Sequence, residues 1–168
     1  MKRKIKTSTL YLISAFAIAS VAAIGGTALL TSQDLGEDAA EIVVYKTPTC
    51  GCCTNWVGHL RRNGLNAKVV NMPSTEPIHE RLGVPHELGS CHTAKVGDYW
   101  VEGHVPADLV QRLITEKPGD IRGIAVPGMP MGSPGMEGPN PVEYEVIAYG
   151  TDGSKSVYAT RQGQSTPQ

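Results

Sequence analysis

Three of the four cysteines in this chain fall within four positions, Cys50-Gly51-Cys52-Cys53. Cys50 and Cys53 form a C-x-x-C pair between a strand-like run, EIVVYK at 41–46, and a helix-like run, TNWVGHLRRNGL at 54–65. Residues three apart on a helix share a face. A helix N-terminus also offers unpaired N–H groups and positive potential, which favour thiolate over thiol. That layout suits disulfide exchange and metal binding alike. Cys52 separates the two chemistries. A third thiol beside a disulfide pair can attack and scramble it, whereas a third thiolate in a metal site can bridge two soft ions. The bland alternative is that Cys52 is a small buried residue on the inner side of the helix.

The fourth cysteine, Cys91, is followed at once by His92 and preceded by Gly89-Ser90, which suggests a loop. It is read as a further sulfur ligand, the alternative being a structural disulfide to one of the three upstream cysteines. His92 is left open between a ligand and a solvated loop residue, and His104, in EGHVP before a helix, could complete a site. The loop GMPMGSPGME at 128–137 adds thioethers. Pro130 keeps the backbone extended there, so that Met129 and Met131 project to roughly one side. Thiolates with thioethers select Cu(I) over hard ions. Zinc, whose structural sites use Cys and His, would leave the Met loop unexplained. The alternative for these Met residues is gap-filling beneath a long loop. His59, beside Arg61 and Arg62, is expected on the solvated face of its helix, and His79 and His86 in loop-like stretches.

These residues must be positioned by a chain of 168 residues, long enough for one domain and short for two. With 19 Gly, 12 Pro and a single Phe, a modest core with long ordered loops is expected. Lys2, Arg3, Lys4 and Lys6 are the only charges before Asp34, and residues 9–30 carry none. Residues 1–33 therefore read as a secretory signal or a retained N-terminal membrane anchor. Ala17-Ile18-Ala19 and Gly26-Thr27-Ala28 offer small-x-small cleavage sites. The uncharged run is also long enough to tether the protein, since a span needs about 20 residues. Either route exports the body to the periplasm. That body keeps 11 basic against 16 acidic residues, a formal charge near −5, and with no basic stripe nucleic acid is excluded as a partner.

Residues 34–40 read as an acidic linker, 41–160 as the metal-binding domain and 161–168 as a loose tail. Trp56, Val57, Leu60 and Leu65 recur at helical spacing and Asn63-Gly64 is a natural stop. NAKVVNM at 66–72 then reads as a strand, which makes a βαβ unit with its helix starting at the cysteines. PIHERLGV is a short helical turn before Pro85, and HTAKV and YWVEG flank a Gly97-Asp98 hairpin turn. PADLVQRLITE, 106–116, is a helix with Pro in its first turn. Ile121 to Pro141 reads as a Gly/Pro/Met loop, and VEYEVIAY with KSVYAT as a C-terminal hairpin.

Three separated stretches carry a resemblance: VYKTPTCGCCTNW, SCHTAKVGDYWVEGHVP and GIAVPGMPMGSPGME, in that order. From about Glu41 to Ala159 the chain resembles the CopG-type family of exported bacterial proteins, a domain of unknown function linked to copper resistance. The resemblance implies an α/β, thioredoxin-like fold with a C-terminal β-hairpin extension. It implies tolerance of copper and of silver, with copper ions and other copper-resistance or efflux proteins of the envelope as partners. It further implies Cu(I) held by Cys50, Cys53 and Cys91, as a multinuclear thiolate-bridged cluster, supported by Cys52, His104, Met129 and Met131, with copper redox chemistry at the site. The rival reading is a periplasmic thiol–disulfide oxidoreductase using Cys50 and Cys53. Thiol-exchange proteins of the wider fold set a cis-proline opposite C-x-x-C, for which Pro127 and Pro130 are the candidates here.

Overall fold

The computed structural model describes residues 40–165. The signal or anchor reading of 1–33, and the linker reading apart from Ala40, lie outside the described residues. Seven strands form one mixed sheet, and two segments of different character pack on its two faces. β1 (Ile42–Lys46) alternates buried Ile42, Val44 and Lys46 with half-buried neighbours, the period-2 pattern of a central strand. It is followed by α1 (Gly51–Arg62), β2 (Ala67–Asn71), α2 (Glu76–Leu82), a 3₁₀ turn (His86–Leu88), β3 (His92–Val96), β4 (Tyr99–Gly103) and α3 (Ala107–Glu116). β5 (Ile121–Val126), β6 (Glu143–Gly150) and β7 (Lys155–Gln162) complete the chain.

The strand order is β2-β1-β3-β4-β5-β6-β7. β1 runs parallel to β2 and antiparallel to β3, and β3 and β4 are a hairpin turning at Gly97-Asp98. β4 and β5 are parallel, joined through α3, whereas β5–β6 and β6–β7 are antiparallel.

α1 and α3 cover one face. Trp56, Val57 and Leu60 of α1 and Leu109, Val110 and Leu113 of α3 meet Val44, Ala94, Val101, Ile124 and Val146 of the sheet. Burying each Leu or Val there contributes about 1.5–3 kcal/mol. Asn63 is the C-cap of α1 and Gly64 follows at φ +81°, the left-handed turn the Asn-Gly pair foretold. His59 departs from its expected solvated place. It is half-buried, and its Nε2 accepts the N–H of Ala107 at 3.0 Å, capping α3. That cap is wanted because Pro106, at the N-cap, has no hydroxyl or carboxylate to offer. Burial and the neighbouring Arg62 hold the His59 pKa below its ordinary value.

The other face holds a smaller cluster of Val84, Leu88, Trp100 and Ala125 beneath α2 and the 3₁₀ turn. The stretch Ile121–Val126, expected as part of a loop, belongs to this sheet as β5. Gly123 made it look loop-like, yet the glycine has a packing cause: a Cβ there would lie 2.1 Å from the Trp100 ring. At the C-terminus β7 runs to Gln162, two residues into the expected tail, and the N–H groups of Gly163 and Gln164 still donate to Val142 O and Gly132 O. Among the described residues no helix is long and apolar enough to cross a membrane.

Candidate metal centre

Cys50 is the N-cap of α1, with an extended backbone (φ −73°, ψ 100°), and its sulfur accepts the Cys53 N–H at 3.3 Å. This is where a helix leaves N–H groups without internal acceptors. Cys50 and Cys53 are joined as a disulfide with Cα atoms 5.4 Å apart. Cys52 and Cys91 are free thiols, both half-buried, so Cys91 is not bonded to any of the other three. Cys52 Sγ stands 3.5 Å from Cys50 Sγ and 3.9 Å from Cys91 Sγ. All four sulfur atoms lie within 4.8 Å of one another. Cys53, rather than Cys52, is the cysteine fully buried on the inner side of the helix. Burial, with Cys52 alongside, pushes the Cys91 thiol up to about 11.

Cys91 ends the turn before β3 and faces C-x-x-C: the Cys53 sulfur lies 3.5 Å from Cys91 O. No peptide bond among the described residues is cis, so neither Pro127 nor Pro130 supplies the expected cis-proline.

Two imidazoles flank Cys91 on the α1 side of the sheet. His104 is fully buried, with Nδ1 2.8 Å from Pro134 O. A carbonyl only accepts, so Nδ1 carries the proton and the Nε2 lone pair points toward Cys91 Sγ, 3.5 Å away. His92 is also fully buried; its Nδ1 is 3.5 Å from Cys91 Sγ and its Nε2 has no hydrogen-bond partner. Its ring lies 4.4 Å from that of Trp56, whose Nε1–H donates to Val105 O and ties α1 to the α3 connection. Burial, reinforced by His104, drives the His92 pKa down to about 3, and burial lowers that of His104. Neutral imidazole is the form that ligates metals. Cys91, His92 and His104 thus make a second donor group within 4.8 Å, sharing Cys91 with the sulfur group. In the sequence the one signal for His92 is its adjacency to Cys91, which does not separate a ligand from a solvated loop residue.

The Met loop reaches this place by its middle. Gly135, at φ +85°, lies so close to α1 that a Cβ would sit 2.8 Å from both Cys52 O and Trp56 N, so the turn demands glycine. Pro134, one residue earlier, supplies the carbonyl that fixes His104. Met129 and Met131 are exposed instead, at 44% and 39%. Met129 adopts φ +48°, rare for a residue with a side chain, and the Met131 sulfur rests over Gly138.

Sequence reasoning passed over the residues behind Cys91. Glu102 of β4 is fully buried, and its Oε1 accepts the Ser90 N–H at 2.6 Å. His79 of α2, also buried rather than in a loop, holds Nε2 at 3.2 Å from the same oxygen. The carboxylate beside it raises the His79 pKa, while burial raises that of Glu102. The turn that carries Cys91 is thereby fixed to the core by a buried carboxyl acceptor. Sequence offered no signal beyond the period-2 pairing of Glu102 with Trp100 on one strand face. His86 is exposed on the 3₁₀ turn.

Known proteins resemble the chain in the same region. A family described as "Protein of unknown function, DUF411" matches residues 88–136. Two solved structures of copper resistance protein CopG, forms 1 and 2, are each 40% identical with a TM-score of 0.68. The chain covers 98% of form 2 and 99% of form 1, using 73% and 74% of its own length. No curated protein matches.

Proposed function

The chain belongs to the CopG-type copper-resistance family, and from that premise we propose that it is an exported protein that binds Cu(I) at its cysteine cluster. The observation that carries the reading is the approach of four sulfur atoms to within 4.8 Å of one another. Four thiolates are the soft donor set that prefers Cu(I). Cys50, Cys52, Cys53 and Cys91 would hold the metal once reduced, with Cys91 shared toward His92 and His104. A shared thiolate and a neighbouring nitrogen pair support a multinuclear site. Copper bound there would bring redox chemistry between its two oxidation states. The protein's own share is to keep both imidazoles neutral, to aim His104 Nε2 through Pro134 O, and to press the Pro134–Gly135 turn against α1. Met129 and Met131 remain in the proposal as outer thioethers of the same loop.

The arrangement β1-α1-β2-α2-β3-β4-α3 with sheet order β2-β1-β3-β4, and C-x-x-C at the tip of α1, supports a thioredoxin-like core. β5 to β7 would then be an extension that brings the Met loop. The 1–33 segment supports a periplasmic body, cleaved or tethered, working beside other copper-resistance or efflux proteins.

The test is anaerobic titration of Cu(I) into the reduced protein. Stoichiometric uptake with a rise in melting temperature is expected, because a ligand that binds only the folded state stabilises it. The absence of both uptake and a shift would remove the reading. The Cys50–Cys53 disulfide favours a second one, thiol–disulfide exchange with Cys50 as nucleophile. It requires metal-free protein to reduce or oxidise a disulfide substrate, and Cys50→Ser to abolish that.

A further inference from the structure

We propose that Cys52 and Cys91 are a second dithiol–disulfide couple, so that the centre exchanges four electrons rather than two. A third thiol next to a disulfide invites scrambling. The structure gives Cys52 a partner of its own: with Cys50 and Cys53 joined, Cys91 is the free thiol that faces it, 3.9 Å between sulfurs. That gap must shorten to the roughly 2.05 Å of a disulfide, with Cys52 on the first turn of α1 and Cys91 on a turn anchored at the Ser90 N–H. Both thiols are half-buried, open enough for a small oxidant to reach.

The oxidant is a small-molecule disulfide. One thiolate of the pair attacks it, forming a mixed disulfide and releasing one thiol. The other then displaces the second thiol and closes Cys52–Cys91. Two electrons pass to the oxidant, whose S–S bond breaks, and the two thiol protons end on the thiols released. The same exchange at Cys50 and Cys53 accounts for the other two electrons. The consequence for metal rests on the copper reading: the fully oxidised centre retains no thiolate and releases its copper. With the first couple alone oxidised, Cys52 and Cys91 are still available as ligands beside His92 and His104.

The experiment uses the full chain, purified in detergent, metal-free and reduced, then exposed to excess oxidised glutathione. Remaining thiols are alkylated and counted by mass, and disulfides are mapped on peptides. All four thiols are expected to be lost in the wild type. In the Cys50→Ser/Cys53→Ser double variant two are lost, with a peptide linking Cys52 to Cys91. Oxidation that stops after two thiols in the wild type, or a Cys50–Cys52 or Cys53–Cys91 link in place of the expected pair, overturns the proposal. Cu(I) uptake is a separate arm. A reduced protein that forms the linked peptide but takes up no Cu(I) keeps the couple and loses the copper reading. One that takes up Cu(I) yet never links Cys52 to Cys91 does the reverse.

Discussion

The turn that carries Cys91 separates two buried histidine regions with opposite electrostatics. On the α2 face, His79 stands 3.2 Å from the Glu102 carboxylate, which raises its pKa and favours its charged form. On the α1 face, His92 and His104 lie against Cys91, Trp56 and each other, and burial holds both pKa values down. The same side chain is pushed toward its charged form in one place and toward the neutral lone-pair donor in the other. The difference lies in the Glu102 carboxylate beside His79 and in the deeper burial of His92 and His104, because burial alone penalises the charged form of an imidazole. The histidine beside the carboxylate works as structure, and the neutral ones are left available for metal.

Removing that carboxylate is the hardest blow to the contrast. Glu102→Ala leaves His79 without its counter-charge and the Ser90 N–H without an acceptor. Breaking a buried pair on one side costs roughly 3–5 kcal/mol, to be read by urea unfolding at neutral pH. Glu102→Gln keeps an acceptor for Ser90 and is expected to recover part of the loss. Equal destabilisation by both variants would mean that the charge, and not the anchoring of the turn, is what matters.

Acid sharpens the comparison through opposite signs. His92 has a folded pKa of about 3, below its unfolded value near 6.5. Its contribution is present above pH 6.5 and is lost as pH falls toward 3, at a rate on the order of 1.4 kcal/mol for each pH step of one between those two values. His79, with its pKa raised, contributes fully below the unfolded value and loses that contribution as pH rises through its folded one. Stability of the metal-free protein should therefore fall steeply from about pH 6.5 to about pH 4, and His92→Gln should flatten that fall. A slope unchanged in the variant would reassign the acid sensitivity to other groups, His104 first.

The lid over the α1 face gives a smaller effect. Gly135→Ala places a methyl group 2.8 Å from Cys52 O and Trp56 N at a φ of +85°. Backbone strain of this kind costs roughly 1–3 kcal/mol. The turn should lift and take Pro134 O away from His104 Nδ1, so the two imidazole tautomers become mixed, which nitrogen-15 NMR of the histidine ring reads directly. A single retained tautomer would show that Pro134 is not what sets it.

How much of this was legible in the sequence depends on the range of the interaction. β1, α1, β2 and α3 announced themselves because period, cap and stop residues lie within a dozen positions of one another. Cys50 and Cys53 at a helix tip followed from the same local rules. β5 was lost because Gly123 answers to Trp100, a residue 23 positions away and on another strand. Glu102 and His79 were invisible for the same reason: their pairing is across the sheet and helix, and each alone looks like a surface residue. His59 was misplaced because its partner is the N–H of Ala107, a demand created by α3 and not by α1. Spacing spoke for Met129 and Met131, but spacing cannot say which part of a loop turns inward.

That last point yields the smallest effect and the most discriminating one for the Met loop. Met129 and Met131 are exposed, while Pro134 and Gly135 of the same loop press against α1 and His104. Exposed substitutions away from special contacts shift stability within about 0.5 kcal/mol, so Met129→Leu and Met131→Leu should leave the melting temperature of the metal-free protein nearly unchanged. If the sulfur cluster alone sets capacity, the Cu(I) stoichiometry of the double Met→Leu variant equals that of the wild type. Only the rate at which copper is passed to a competing chelator should change, since outer thioethers would act on the path and not on the store. A stoichiometry reduced by a whole ion would move the thioethers into the centre, which would require the loop to close from its present place when copper binds. The contrast between Cys91→Ser, expected to lower capacity outright, and Met→Leu, expected to alter only exchange, therefore separates ligands held in place by folding from ligands recruited by the metal.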